Sequence, residues 1–262
     1  MTVLLPGMRP AGIRGMMAVM NGKPLPGEVP GGVAGHRRVY RSDPDAPTAG
    51  QLDAELDRLA RRAYVGVRDG VLDPEVAFDL ACLLLTWGPP DPLAGELAER
   101  SAEGTDRERI ADLARQVLAA RFEPGFDLEP VLLERLEQAL GVVTADLRAT
   151  GLEGPVRLVI MDWHEPRHAY AEFRGVWGTA EGISPADGAA PLPALVAVAG
   201  NLQEAVMEAL WGTVWPVCPA HNLGAHAREY ESAAVWWCNG DGGHVITAIG
   251  HWDRLVGALP PS

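Results

Sequence analysis

The apolar residues of this chain change their spacing once, at Gly151, from the period of a helix to that of a strand. A chain that does so can be neither a helical bundle nor a β-sandwich throughout, and an α+β fold is the expectation. Before the switch, Leu52, Leu56, Leu59 and Ala63 form one helical stripe, and Ile110, Leu113 and Val117 form another. The longest is Leu132, Leu136, Leu140, Val143 and Leu147, following Asp127 as cap. Thr48 with Gln51, and Thr105 with Glu108, have capping-box spacing. Asp73-Pro74 and Asp91-Pro92 each set an N-cap before a proline at the first helical position. Gly88-Pro89-Pro90 closes the second helix, because neither proline donates and each disfavours helix in the residue before it. About five helices over 47–150 are predicted, with Glu134 and Glu137 on the solvent side.

After Gly151, residues 156–163 are a nearly continuous apolar run, and 169–177 alternate Ala171, Phe173 and Trp177 against Tyr170, Glu172 and Arg174. These read as neighbouring strands. Residues 178–191 read as a loop, and Pro193 opens a helix with the stripe Leu195, Ala199, Leu202, Val206 and Leu210. Two more strands, 233–238 and 244–249, flank the Gly-rich turn 239–243. Residues 1–46 carry Pro6, Pro10, Pro24, Pro26 and Pro30, spaced so that no helix runs through them, and are expected to be a flexible arm. The chain therefore divides, by sequence, into an arm at 1–46, a helical domain at 47–150 and an α+β domain at 151–262.

Apolar residues at 47% against 22% charged exclude disorder over the whole chain. The net charge of -13 excludes a nucleic-acid role, since phosphate binding rests on Lys and Arg, and only Arg228 occurs around 213–250. Residues 1–41 hold six basic groups against Glu28 alone, which leaves 16 basic and 34 acidic groups on the remainder. Such an acidic body suits a basic protein partner as well as simple solubility. No segment reaches the ~20 apolar residues of a membrane span. Pro6, Arg9, Pro10 and Arg14 also interrupt any secretory core, pointing to a cytoplasmic protein without membrane attachment. Three cysteines, an odd and small number, argue against a disulfide framework and favour a reducing compartment. Cys82, inside the apolar run 80–85, reads as an inert core residue.

The other two cysteines carry the chemistry. Cys218-x2-His221 is followed after sixteen residues by Cys238-x5-His244, and these four residues are the candidate metal ligands. Zinc takes four such N and S donors in a tetrahedron, and a close-spaced pair on a tight turn supplies two adjacent vertices. Pro219 pre-sets the first turn, Gly224 lets the chain leave it, and the turn at 239–243 brings the second pair together. His226 is a spare imidazole, able to replace one of the four or to act as an accessory ligand. Two other readings fit the same residues: buried cysteines in an aromatic core beside Trp215, Trp236 and Trp237, or a Cys218–Cys238 disulfide. The segment resembles a zinc-ribbon knuckle, in which a C-P-x-C-G turn carries two ligands. Here His221 stands in place of the second cysteine and the glycine is displaced to Gly224. What the resemblance implies is a structural zinc on a knuckle-like β-hairpin. With a single lysine and an Arg- and Ala-rich composition, the phrases Trp-Pro-Val-Cys-Pro-Ala-His at 215–221, Val-Trp-Trp-Cys at 235–238 and Gly-Gly-His at 242–244 are also similar to uncharacterised actinobacterial proteins. No activity follows from that similarity.

His164-Glu165-Pro166-Arg167-His168 formally fits H-E-x-x-H, which requires both histidines one helical turn apart. Pro166 and the strand-like flanks forbid that helix. A looser alternative is a metal-dependent hydrolase site in which Asp162, His164, Glu165 and His168 gather from the loop. No Walker, dinucleotide or G-x-S-x-G pattern occurs. With both cysteines and both histidines engaged, no position remains for a catalytic water, so the quartet reads as structural and no catalytic residue is assigned. The leading expectation is a non-enzymatic, zinc-stabilised regulatory protein that binds another protein.

Overall fold

In a computed structural model, residues 47–104, 106–164, 166–178 and 181–253 are described, and the expected arm at 1–46 lies outside them. The chain separates into two compact units, residues 1–123 and 124–262. Among the described residues the first holds α1 (Ala49–Arg68), α2 (Pro74–Trp87), α3 (Pro92–Glu103) and α4 (Arg107–Arg121). Thr48 and Gln51 form the predicted capping box, with the Gln51 backbone N–H donating to Thr48 Oγ1 at 3.3 Å and the Thr48 N–H donating to Gln51 Oε1 at 2.8 Å. Asp73 and Asp91 cap α2 and α3 by accepting from the N–H groups of Glu75 and Leu93. The Thr105 cap falls outside the described residues, and the observed cap of α4 is Asp106, which accepts from Arg109 N–H. Leu56, Leu59 and Ala63 of the α1 stripe and Ile110, Leu113 and Val117 of α4 bury together with Val76, Leu80, Leu84 and Leu97 as one core. Cys82, expected in a core, is only half-buried.

The second unit holds α5 (Pro130–Ala149), β1 (Val156–Met161), β2 (His168–Phe173), β3 (Val176–Trp177), α6 (Pro191–Ala209), β4 (Ala225–Tyr230), β5 (Ala233–Cys238) and β6 (His244–Ala248). The sheets are antiparallel, ordered β1-β2-β3 and β4-β5-β6, so the fold is α+β as expected. One boundary is corrected. The fifth helix belongs with the sheets, because Leu136, Leu140, Val143 and Leu147 bury among Phe173, Leu202, Trp215 and Trp236. A helical stripe shows which face is covered but not what covers it.

Further differences have local causes. β4 has no apolar alternation to betray it, since Arg228, Glu229 and Tyr230 are exposed on an edge strand. The C-terminal hairpin is consequently a three-stranded sheet. In β2 the alternation does not divide buried from exposed residues, since Tyr170 and Glu172 are 2% and 8% exposed. Glu172 is covered by a bidentate pair with Arg157 of β1, at 2.8 and 2.9 Å. The loop 178–191 contains a 3-10 turn at Pro185–Ala189, and α6 begins at Pro191. α5 starts at Pro130 rather than after Asp127, without a side-chain cap.

Buried polar side chains of the two long helices fasten both sheets. Asp146 of α5, 1% exposed, accepts from Trp236 Nε1 at 2.8 Å and from the N–H groups of Gly250 at 2.7 Å and Trp252 at 2.8 Å. From α6, Gln203 donates to the carbonyls of Trp215 and Ala225, while Asn201 Oδ1 accepts from Ala171 N–H in β2. Removing a buried acceptor strands its donors at a cost of about 1–3 kcal/mol each, more where a charge is involved. Asp146→Ala is therefore expected to destabilise the second unit by about 3 kcal/mol or more, read as a lowered denaturation midpoint. A variant within about 0.5 kcal/mol of the parent would show that these bonds are not what fastens the sheet.

Candidate metal centre

The C-terminal sheet positions two donors by its register. Cys238, at the end of β5, lies directly opposite His244, at the start of β6, so their side chains leave the sheet on the same side. The other two donors come from the turn ahead of β4. Cys218 N–H donates to Leu223 O at 2.8 Å and Asn222 N–H donates to Cys218 O at 2.8 Å, closing the turn that carries His221. An antiparallel bridge between Val217 and Gly224 closes its base.

The outcome is one cluster. A donor atom from each of Cys218, His221, Cys238 and His244 lies within 4.8 Å of the other three, and the group could hold a metal ion. Cys218 Sγ is 3.7 Å from His221 Nδ1 and 3.6 Å from His244 Nε2, and Cys238 Sγ is 3.4 Å from His221 Nδ1. A tetrahedral ion bound at ordinary Zn–S and Zn–N lengths needs S···N edges of about 3.6 Å, which these separations match. Both cysteines are buried free thiols rather than a disulfide. Their burial was the alternative expected of core cysteines, but a core does not require two imidazole nitrogens directed at the same sulfurs.

Surrounding groups hold the donors in place. His221 presents Nδ1 to the cluster while its Nε2 meets Asp241 Oδ2 at 2.9 Å, the carboxylate–imidazole pairing that fixes tautomer and ring orientation at metal sites. Asp241 sits at φ 47°, a left-handed conformation that aspartate tolerates better than most side chains. Gly240 donates its N–H to Cys238 Sγ at 3.3 Å. A Cβ at Gly240 would stand 2.7 Å from His221 Cγ, so only glycine admits the imidazole at this distance.

Electrostatics separates the two thiols. Burial alone would push Cys218 up, but the backbone N–H groups of His221 and Ala220, with the His221 and Cys238 side chains, bring it down to about 6. Burial raises Cys238, the Gly240 N–H opposes the rise, and the neighbouring Cys218 adds to it. His221 is raised by Cys218 and then by Asp241. The lowered Cys218 favours thiolate, the form in which a cysteine sulfur ligates a metal.

His226 does not join. It is exposed on β4 opposite Trp237 and is not among the four donors. Nor do the loop residues make a second metal group among the described residues. His164 and His168 stack with ring centroids 4.3 Å apart, and His164 Nε2 bonds to Tyr170 Oη at 3.1 Å. Asp162 is exposed, and Glu165 lies outside the described residues. The segment joins β1 to β2 without a helix, as Pro166 requires. Asp241 is the residue that sequence reasoning missed, because only the 3-10 turn at Gly240–Gly242 brings it back to a histidine twenty positions earlier.

Compared with known proteins, the chain matches no family model, no curated protein and no solved structure. Among the described residues no helix is long and apolar enough to cross a membrane.

In titrations with cobalt(II), whose absorption bands report thiolate ligation, His226→Ala is expected to bind as the parent does. Gly240→Ala should bind more weakly, because its new methyl displaces the His221 ring. Weakened binding in His226→Ala would instead make His226 a ligand.

Proposed function

We propose that this chain is a non-enzymatic interaction protein whose C-terminal β module is completed by one structural zinc ion. The observation that carries the reading is the set of two thiols and two imidazoles converging at tetrahedral separations. Four protein donors close a zinc site, whereas catalytic zinc keeps one vertex for water or substrate. Soft thiolates together with imidazole favour zinc over the hard cations that prefer oxygen. Working thiols of this kind suit the reducing cytoplasm.

The ion would link the turn before β4 to the β5–β6 pair, adding its binding free energy to the core that the sheet shares with α5 and α6. The face it would stabilise carries residue types favoured at protein interfaces. Tyr230 packs on Trp237 with centroids 5.2 Å apart, and the Arg228 guanidinium lies 4.5 Å over the Trp237 ring. Tyr, Trp and Arg in contact on an exposed strand pair are the usual anchors of protein recognition. A protein partner with basic character is the reading, given the acidic balance of residues 42–262.

Purified protein should carry about one zinc per chain, and chelation should abolish the near-ultraviolet signal of the tryptophans around 215–237. Asp241→Asn should lower zinc affinity roughly tenfold or more while leaving the first unit folded. Metal-free protein with unchanged melting would overturn the assignment. Tyr230→Ala and Trp237→Ala should retain zinc and lose partner capture, and capture that persists in both would move the interface elsewhere.

A further inference from the structure

Away from the Cys/His cluster, the second unit has a cavity of about 590 Å³ whose walls are aromatic and acidic. Trp163, Tyr170 and Trp177 line it together with His164, Glu181 and Glu208. Trp163 meets Tyr170 edge-on at 5.2 Å between centroids and Trp177, tilted, at 6.3 Å, so the three rings are contiguous, with the buried Tyr170 backing the two exposed indoles. Tyr170 is 2% exposed, while Trp163 and Trp177 are 58% and 37% exposed, so the accessible ring surface of the corner is that of the two indoles.

The corner is built by the fold. Tyr170 lies on β2 and Trp177 on β3, next to one another in the sheet, and Trp163 arrives from the β1–β2 turn. The Tyr170 hydroxyl bonds to His164 Nε2 at 3.1 Å, which ties the phenol to the β1–β2 turn. A Cβ at position 182 would stand 2.6 Å from the Tyr170 ring, so Gly182 is what lets the phenol lie where it does.

The charge of the lining selects the ligand. Glu181 and Glu208 are its only full charges among the described residues, and no arginine or lysine lines it. The nearest candidate cations along the strands are engaged elsewhere, Arg157 with Glu172 and Arg174 with the Glu153 carbonyl and the Phe173 ring. Ring faces carry negative quadrupole density and attract a soft, weakly hydrated cation, while nearby carboxylates add long-range attraction. An anion would be repelled, and a neutral apolar ligand would leave both carboxylates without a role. A metal ion finds no convergent oxygen set here.

We infer that the Trp163–Tyr170–Trp177 corner, with Glu181 and Glu208, binds the trimethylammonium head group of a small organic cation. Methyl groups spread the charge over an apolar surface that fits ring faces without hydrogen-bond donors, and the volume leaves space for the rest of such a molecule.

The test uses the full chain and titration calorimetry with choline chloride, its neutral isostere 3,3-dimethyl-1-butanol, and glycine betaine. Choline is expected to bind saturably, the isostere roughly tenfold or more weakly because it lacks the charge, and betaine more weakly than choline because its carboxylate meets Glu181 and Glu208. Trp163→Leu, which keeps apolar area on an exposed side chain, should lose choline binding, and Glu208→Gln should weaken it several-fold. Both variants should melt as the parent does. Equal binding of choline and the isostere, absence of choline binding by the folded parent, or undiminished binding by folded Trp163→Leu would each overturn the inference.

Discussion

Three hydrogen bonds to one buried carboxyl group organise the second unit. Asp146 receives the Trp236 indole N–H from the centre of β5 and the backbone N–H groups of Gly250 and Trp252 just beyond β6. These donors come from chain about 100 residues away, and a buried carboxyl without them would be prohibitively costly. The bonds therefore specify where the C-terminal sheet seats on α5, in a way that apolar contacts, being non-directional, do not. Trp236 packs edge-on against Trp215 at 5.5 Å and Trp252 at 6.3 Å, so the same peg also orders an aromatic cluster.

The Cys/His cluster takes its geometry from that seating. β5 carries Trp236 to Asp146 on one part of the strand and Cys238 to the donor cluster two residues later. Residues two apart on a strand share a face, so fixing Trp236 also fixes the side from which the Cys238 sulfur emerges. Gln203 does the same for the other arm, holding the Trp215 and Ala225 carbonyls at either end of the turn that bears Cys218 and His221. Two helix side chains that belong to no recognisable motif thus seat the strand and the turn that bear the donors.

The aromatic cavity and the donor cluster sit on different sheets, yet α6 serves both. Asn201 holds β2, whose Tyr170 lines the cavity, and Gln203 holds the start of β4. Polar residues on the buried face of an otherwise apolar helix contradict its pattern. Their conflict with the local rule is resolved by pairing with main-chain groups that would otherwise be buried unsatisfied.

What the sequence determined by itself was local. Thr48, Asp73 and Asp91 mark helix starts because a cap bonds within three residues, and the strands at 156–161 and 233–238 declare themselves by β-rich apolar runs. The Cys/His quartet was visible for a related reason, since ligand pairs on turns must be close in sequence and their residue types are scarce. Tertiary structure alone decided the rest. Edge strand β4, the membership of α5 in the sheet unit, the Asp241 support of His221 and the convergence of Trp163, Tyr170 and Trp177 all depend on partners far along the chain or on which face is covered. Periodicity records that a face is buried, but the identity of the covering group is set by packing and by long-range hydrogen bonds, which leave no local pattern.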